Sequence, residues 1–332
     1  MDPRPQRSRG FLRLTLSIVL FFGAVWLFLN RQTVIDQVAY WQYRPSAEIA
    51  ALAERADMND KGRYYFYASF PEVQDRQAFN NSCNTTRTQE TVVLGCYTGR
   101  HIYIFNVEDD KLDGIKEVTA AHEMLHAAYD RLSSSERTRI DSLLDKAAKA
   151  TTDENLKTLL SAYDKSEPGE RLNELHSILG TQVHNLDPEL ETYYRQYFSD
   201  RTALVNLSDK YESVFNSLKS QQQQLASELE QLARDLTAES DGYNQAITQL
   251  NADIGVFNEK ASNGGFSSQS QFNNERDSLV ARQDALKTQR NDLNVKIAQY
   301  NEKRQALEAI NSQADALNRS INSNLSPVPA VN

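Results

Sequence analysis

The sequence contains few cysteines and histidines and has no excess of basic residues. Its 332 residues include two cysteines and five histidines, and 45 Asp and Glu outnumber 36 Lys and Arg, for a formal net charge of −9. Two cysteines are too few for a Cys-rich zinc finger or a disulfide-dense miniprotein. Phosphate recognition requires clustered Lys and Arg, so the acidic balance argues against a nucleic-acid-binding protein.

The residues that are present fall into two compositional regions. Hydrophobic residues make up 40% and charged residues 24% of the chain, a balance typical of folded globular proteins. Tyr and Phe are concentrated in the first two thirds, whereas Gln, Asn, Ala and Leu dominate the last third. This asymmetry indicates a globular domain followed by a different kind of structure.

An uncharged apolar stretch lies near the N-terminus. Residues 14–29 carry no charge, and Phe11 and Leu12 extend the stretch to nearly the ~20 residues that cross the hydrocarbon core of a bilayer. We therefore expect a transmembrane helix at residues 11–30 that anchors the protein.

The charges around this stretch predict its orientation. Four arginines precede it, namely Arg4, Arg7, Arg9 and Arg13. By the positive-inside rule, residues 1–10 form a cytoplasmic tail and residues 31–332 lie outside the cytoplasm. A cleaved signal peptide is the alternative. It requires small side chains before the cleavage site, and Phe22 occupies such a position.

The two cysteines are expected to pair. An oxidising exterior favours a disulfide between Cys83 and Cys96, which would close a loop worth up to ~3 kcal/mol on the chain-entropy model. Two buried free thiols are the alternative.

Residues 31–200 are predicted to form an α+β domain. Residues 46–58 have helical periodicity after Pro45 and Ser46. Strand-like runs follow at 63–70, 91–96 and 101–107, with a turn at Thr98-Gly99 between the last two. The sequence therefore predicts a small antiparallel sheet packed against helices.

Helix-start signals dominate the rest of this domain. Ser133–Glu136 and Thr151–Glu154 both match a capping box, in which Ser or Thr and a Glu three residues later satisfy each other's backbone N–H groups. Asp187-Pro188 provides an N-cap followed by Pro at the first helical position.

Residues 201–325 have the pattern of a coiled coil. After Asn263-Gly264-Gly265, apolar or small residues recur seven apart, at Leu279, Leu286, Leu293, Tyr300, Leu307, Ala314 and Ile321. Sustained heptads on both sides of one Gly-Gly break predict a long antiparallel hairpin, with arms of roughly 75–85 Å. Residues 326–332 are expected to be a flexible tail.

The chemistry of the chain is concentrated in His122-Glu123-Met124-Leu125-His126, an H-E-x-x-H motif. On a helix, residues i and i+4 share a face, so both imidazoles can reach a single Zn²⁺ ion. Zinc lowers the pKa of a water bound to it, and Glu123 would then act as the general base that activates this water.

A catalytic zinc site needs a third protein ligand. The extended metzincin pattern is excluded, because Tyr129 and Leu132 stand where it requires Gly and His. The best alternative is a carboxylate on a second helix at 170–181. Glu174 flanks the apolar face of that helix, whereas Glu170 points further away.

These two segments resemble the thermolysin-like gluzincins, a class of zincin metallopeptidases that combine H-E-x-x-H with a downstream N-E-x-x-S helix. Asn173-Glu174-Leu175-His176-Ser177 matches the second motif. The resemblance, to a compact membrane-associated variant, implies His122, His126 and Glu174 as zinc ligands and Glu123 as the base. It also implies that substrate adds as an extra strand to residues 101–107.

The resemblance leaves two elements of the site unassigned. Where the family has an Asp that orients a zinc-bound His, this chain has Ile178. Four residues are candidates for stabilising the oxyanion, namely His176, His184, Tyr193 and Tyr194. Tyr193 and Tyr194 are expected to lie in the core, and His184 at the surface.

Together these features predict a membrane-anchored, extracytoplasmic zinc metallopeptidase that acts on proteins or peptides, including those of the cell envelope. The alternative is a non-catalytic cell-envelope interaction protein that acts through its coiled coil and keeps a structural or degenerate metal site. A non-peptide amide, such as a cell-wall cross-link, is a further candidate substrate. The coiled coil could also support self-association.

Overall fold

The computed structural model describes residues 8–83, 93–152, 154, 156–158, 160–161 and 169–323. The described chain divides into two compact units. The first comprises the described residues up to Val214 together with those from Asn318 onward, and the second comprises Phe215–Leu317. Most of the structure is helical, and the first unit also contains a small three-stranded sheet.

The apolar N-terminal segment forms helix α1 (Ser8–Leu29), and helix α2 (Arg31–Gln42) follows after one residue. Among the described residues, no single helix is long and apolar enough to cross a membrane. Arg13–Leu29 and α2 meet the criterion of length and composition only as a pair, which is bent by 78°. The single anchor expected at 11–30 therefore stays a prediction.

Helix α3 (Ala47–Arg55) confirms the first predicted helix. The Ser46 hydroxyl accepts a hydrogen bond from the backbone N–H of Ile49, as expected of an N-cap. Helix α3 packs against the helix that carries the H-E-x-x-H motif.

The strand predicted at 63–70 is wrong, because residues 63–67 belong to helix α4 (Asp60–Tyr67) and residues 68–70 follow its end. Its aromatic residues favour strands in general, but Asn59 provides an N-cap that accepts hydrogen bonds from two backbone N–H groups. Gly62, which resembled a helix breaker, lies against Tyr197, where a Cβ would be only 2.3 Å from the carbonyl oxygen. The close contact with the Tyr197 backbone thus explains why a glycine lies inside this helix.

The sheet is mixed, so the prediction of an antiparallel sheet is only partly right. Its strands are β1 (Glu72–Gln74), β2 (Gly95–Thr98) and β3 (His101–Phe105), in the order β1-β3-β2. Strand β2 is antiparallel to β3, whereas β1 is parallel to β3. A three-residue strand has too little periodicity to be recognised, and it replaces the strand predicted at 63–70.

The predicted hairpin between β2 and β3 is confirmed, with its turn shifted by one residue. Gly99 and Arg100 both have positive φ, at 55° and 70°. Two successive left-handed residues are typical of the tight turn whose twist matches that of the paired strands. Residues 91 and 92 of the predicted strand lie outside the described residues.

The predicted disulfide between Cys83 and Cys96 is confirmed. It joins the residue that follows helix α5 (Arg76–Ser82) to the second residue of β2. The sheet is therefore covalently fixed at β2, one of its two edge strands.

The described part of the first unit also contains helices α6 (Ile115–Asp130), α7 (Ser134–Ala150), α8 (Arg171–Gln182) and α9 (Pro188–Tyr194). The capping box at Ser133 and Glu136 is confirmed, and the Asp187 carboxylate caps α9. The second predicted box, Thr151–Glu154, includes a residue outside the described part of the chain. Helix α6 lies at the centre and packs most extensively against α8.

Two long helices account for the C-terminal region, α10 (Arg201–Ser262) and α11 (Gln269–Ile321). Within the second unit they run antiparallel, because residues later in α10 form ion pairs with residues earlier in α11. The ion pairs that show this are Glu228–Lys303, Glu239–Lys296, Asp253–Arg282 and Lys260–Glu275. The predicted hairpin therefore forms within one chain.

Candidate metal centre

Helix α6 forms the base of the site. It begins after Gly114, whose φ of 103° is readily adopted only by glycine. Thirteen of its 16 residues are buried. The polar side chains on such a buried helix need hydrogen-bonding partners from the surrounding structure, because burying an unpaired polar group costs free energy.

His122 and His126 face each other on α6. Their Nε2 atoms lie 3.0 Å apart, and the ring centroids are separated by 4.7 Å with the planes at 77°. The side chain of His126 is 8% exposed and that of His122 18% exposed. The i, i+4 spacing therefore places two imidazole nitrogens where one ion could contact both, as the motif predicted.

Glu174 reaches these histidines from α8. Its carboxylate oxygens lie 3.5 Å from His122 Nε2 and 3.7 Å from His126 Nε2. Helix α8 approaches α6 closely at Gly180, where a Cβ would lie 2.4 Å from a methyl group of Leu125. The glycine thus permits the helix contact that brings the carboxylate to the two rings.

Asn173 fixes the tautomer of His126. The Asn173 amide nitrogen donates to a carboxylate oxygen of Glu170 at 3.0 Å, and a carboxylate only accepts. The Asn173 carbonyl oxygen therefore faces His126, and it lies 2.9 Å from Nδ1. Nδ1 must carry the proton, which leaves a lone pair on Nε2, the atom that faces His122 and Glu174.

Glu123 lies between α6 and strand β2. A Cβ on Gly95 would be 2.7 Å from both the Cγ and an Oε atom of Glu123, and equally close to Thr119. The Glu123 residue is 5% exposed. Only glycine fits opposite this carboxylate, so Gly95 sets its position against the sheet.

The strand next to Glu123, β2, lies at one of the two edges of the sheet. Phe105 N–H donates to the Leu94 carbonyl, so alternate residues of β2 bond to β3. The backbone groups of Gly95 and Tyr97 therefore point away from β3. Residues 101–107 were predicted as the edge that receives substrate, but β3 lies between β1 and β2 and is paired on both sides.

Among the described residues, one group of side chains could hold a metal ion, namely His122, Glu123 and His126, whose ligand atoms all lie within 4.8 Å of one another. Glu174 adds a second carboxylate to the set. All four site residues predicted from the sequence are therefore gathered in one place. Sequence reasoning missed Asn173 and Gly95 as parts of the site.

The candidates for oxyanion stabilisation lie elsewhere or are committed to the core. Burial, together with the nearby His126 and His122, lowers the pKa of His176 to about 3. Its Nε2 lies 2.8 Å from the Tyr193 hydroxyl, and the Tyr194 hydroxyl donates to the His176 carbonyl at 2.7 Å. His184 is exposed beside Asp209.

The position that holds an Asp in gluzincins contributes nothing polar here. Ile178 is 4% exposed and belongs to the hydrophobic core of the first unit. The His126 ring is oriented by its hydrogen bond to Asn173. The orienting group is therefore an amide one residue before Glu174.

In the comparisons with known proteins, no protein-family model, no curated protein and no solved structure matches this chain.

Proposed function

We propose that this protein is a membrane-anchored, extracytoplasmic zinc metallopeptidase that hydrolyses peptide bonds. One observation carries the proposal: His122 and His126 on one helix and Glu174 on another converge, with Glu123 beside them. The likeness to the two gluzincin motifs points to the same chemistry.

The donor set suits zinc. Two imidazole nitrogens and one carboxylate are a ligand combination of catalytic zinc sites, which keep a further position open. The hydrogen bond from His126 to Asn173 already directs the Nε2 lone pair into the site. When bound, zinc supplies Lewis acidity that polarises a carbonyl group and lowers the pKa of water.

Glu123 has the role of proton carrier in this proposal. Its carboxylate takes a proton from the water that attacks the peptide carbonyl and delivers it to the departing amine nitrogen. Burial against Gly95 restricts the carboxylate to a small region, which favours both transfers by keeping it in place.

An extended peptide is the substrate that the sheet edge favours. The backbone groups of Gly95 and Tyr97 could pair with a peptide laid along β2. Such a peptide would run next to Glu123, because Gly95 contacts that residue. The Cys83–Cys96 disulfide would hold the receiving strand in register.

The anchor is the second part of the proposal. Apolar side chains of α1 are exposed over most of their surface, including Val19, Phe21, Phe28 and Leu29 at 65%, 65%, 72% and 74%. Hydrocarbon is the environment in which such side chains are at low free energy. The preceding arginines favour a cytoplasmic N-terminus.

The decisive experiment separates metal binding from cleavage. Purified full-length wild type, Glu123→Gln and the surface control Glu230→Gln are compared for zinc content and for cleavage of proteins and peptide libraries. We expect all three to hold one zinc per chain, and only Glu123→Gln to lose cleavage, by about 10²-fold or more. Cleavage unchanged in Glu123→Gln would contradict the proposal.

A second candidate function is that of an interaction protein acting through the hairpin. It is favoured by the length of α10 and α11, at 62 and 53 residues, most of whose side chains are exposed. Wild type that holds stoichiometric zinc but cleaves no protein, peptide or envelope preparation would favour this function over the peptidase.

A further inference from the structure

Helix α2 buries a charged side chain and exposes several large apolar ones, unlike a normal surface helix. Asp36, which is 2% exposed, and Ala39 point into the first unit. Ile35, Val38 and Trp41 are exposed by 48%, 42% and 65%. A surface helix of a water-soluble domain normally buries its apolar stripe and exposes its charges, so the outer face of α2 is suited to an apolar environment.

The buried face of α2 is held by charge pairing. The Asp36 carboxylate accepts two hydrogen bonds from Arg131, from Nε at 2.9 Å and from Nη2 at 2.8 Å, and both side chains are 3% exposed. Arg100 and Gln32 also donate to it. Rotating α2 to hide its apolar residues would break these bonds and leave buried charges unpaired.

The C-terminal end of α2 is fixed as well. The Tyr43 hydroxyl donates to the Pro71 carbonyl at 2.6 Å, and the ring of Tyr40 packs on that of Tyr64 with centroids 5.2 Å apart. The middle and the C-terminal end of the helix are thus attached to the rest of the first unit, which fixes the direction of its outward face.

The exposed apolar surface continues from α1 into α2. Asn30 separates the two helices, and its side-chain amide donates to the Trp26 carbonyl at 2.9 Å. The axis turns by 78° at this point. If α1 crosses a bilayer, a bend of this size lays α2 nearly parallel to the membrane surface.

We propose that α2 lies in the interfacial layer of a lipid bilayer, with Ile35, Val38 and Trp41 inserted among the lipids. Interfacial helices bury their apolar face at the boundary between headgroups and acyl chains, and Trp is enriched at that depth. Arg31 and Arg44, at the two ends of the helix, are exposed and can meet lipid phosphates. The inference rests on the proposed membrane anchoring and extends it to a second contact.

The chain contains two tryptophans, Trp26 in α1 and Trp41 in α2, so each can be observed alone. Full-length W26F and W41F proteins are reconstituted into phosphatidylcholine–phosphatidylglycerol vesicles that carry bromine, a fluorescence quencher, either near the headgroups or near the chain ends. We expect Trp41, observed in W26F, to emit at short wavelength and to be quenched more strongly by bromine near the headgroups.

The two variants distinguish failure of this inference from failure of the anchor. If Trp26 is quenched by brominated lipid while Trp41 is quenched only by iodide in the water, the interfacial helix is refuted and the anchor stands. If brominated lipid quenches neither residue, both proposals fall. If Trp41 has blue-shifted emission without lipid quenching, a protein or a second copy covers the helix, and the lipid proposal is wrong.

A charge substitution provides a second readout. Val38→Asp in the W26F background should shift Trp41 emission to longer wavelength and reduce its quenching by lipid at least twofold. Thr33→Asp places the same charge outside the apolar face and should leave both unchanged. Circular dichroism of both variants reports whether they are folded, independently of any metal, and equal quenching in the two would overturn the proposal.

Discussion

Helix α6 and the hairpin helix α11 bury their surfaces in opposite ways. Thirteen of the 16 residues of α6 are buried, and they include Glu123 and His126. Of the 53 residues of α11, the buried ones are Leu286, Leu293 and Leu317. Helix α6 is packed by several other elements, whereas α11 packs against α10 through one repeating row of apolar side chains.

The comparison teaches that buried polar residues occur where the fold can supply matched partners. His126 forms a hydrogen bond with Asn173, and the Glu123 side chain occupies the space left by the missing side chain of Gly95. On the hairpin, charged residues remain partly exposed and pair across the helices, as Glu228 does with Lys303. Substitutions in α6 or its partners should therefore have larger effects than equivalent substitutions in the hairpin.

The largest difference is expected for leucine truncation. Leu125→Ala removes a fully buried side chain from α6 and should reduce the free energy of unfolding by about 2–5 kcal/mol. Leu286→Ala, at an 8% exposed position in a helix with few buried residues, should reduce the free energy of unfolding by less. Denaturant titration of both variants measures the difference, and equal costs would contradict the comparison.

The next largest effect is expected from loss of the Asn173 amide, which orients the His126 ring. Asn173→Ala removes the acceptor of the His126 hydrogen bond and should weaken zinc affinity by about 10–100-fold, the usual effect of losing such a partner. Asn244→Ala, on the exposed surface of α10, is the matched control. Competition with a chelating dye measures affinity, and unchanged binding would remove Asn173 from the site.

Acid should destabilise the first unit through His176. Burial lowers the pKa of this histidine from 6.5 to about 3, so the unfolded chain binds a proton that the folded chain excludes. Its contribution is fully present above pH 6.5 and is lost as the pH falls toward 3, by about 1.4 kcal/mol per pH unit.

His176→Gln tests this pH dependence. The variant loses stability from the substitution itself, but its free energy of unfolding should fall less steeply than that of wild type between pH 6 and 4. The comparison of slopes removes effects common to both proteins. Parallel slopes would show that His176 is not the titrating group.

The smallest effect is expected in the hairpin and has the opposite sign. Gly255 lies inside α10, and a Cβ there meets no atom within 4 Å. Gly255→Ala should therefore stabilise the hairpin by about 0.5–1 kcal/mol, through helix propensity alone. Gly180→Ala, where the added Cβ meets Leu125 at 2.4 Å, should destabilise the first unit. Calorimetry of both variants checks the two signs.

The same contrast explains what sequence reasoning could find. The hairpin was predictable because its heptads act locally and its break contains Gly264, whose φ is 67°. The spacing of His122 and His126 was predictable for the same reason, since a helix fixes i and i+4. Glu174 was found from its place beside the apolar face of a second helix and from the resemblance of a second motif, because the H-E-x-x-H motif alone does not state which carboxylate faces the histidines.

The remaining features depend on residues far apart in the chain. The helix at 60–67 was misread because the contact of Gly62 with Tyr197 is invisible to local propensity. The parallel pairing of β1 with β3 depends on the path of the chain and not on the composition of three residues. The role of Asn173 follows from the direction of its amide, which Glu170 decides.

The pairing of Asp36 with Arg131 has a mechanical consequence. Arg131 directly follows α6, and both histidines lie on that helix. Hydrogen bonds therefore connect α2 to the end of the helix that carries His122 and His126. If α2 rests on lipid and the site cleaves peptide bonds, as proposed, the position of α2 in the membrane would determine how far from the bilayer a substrate is cut.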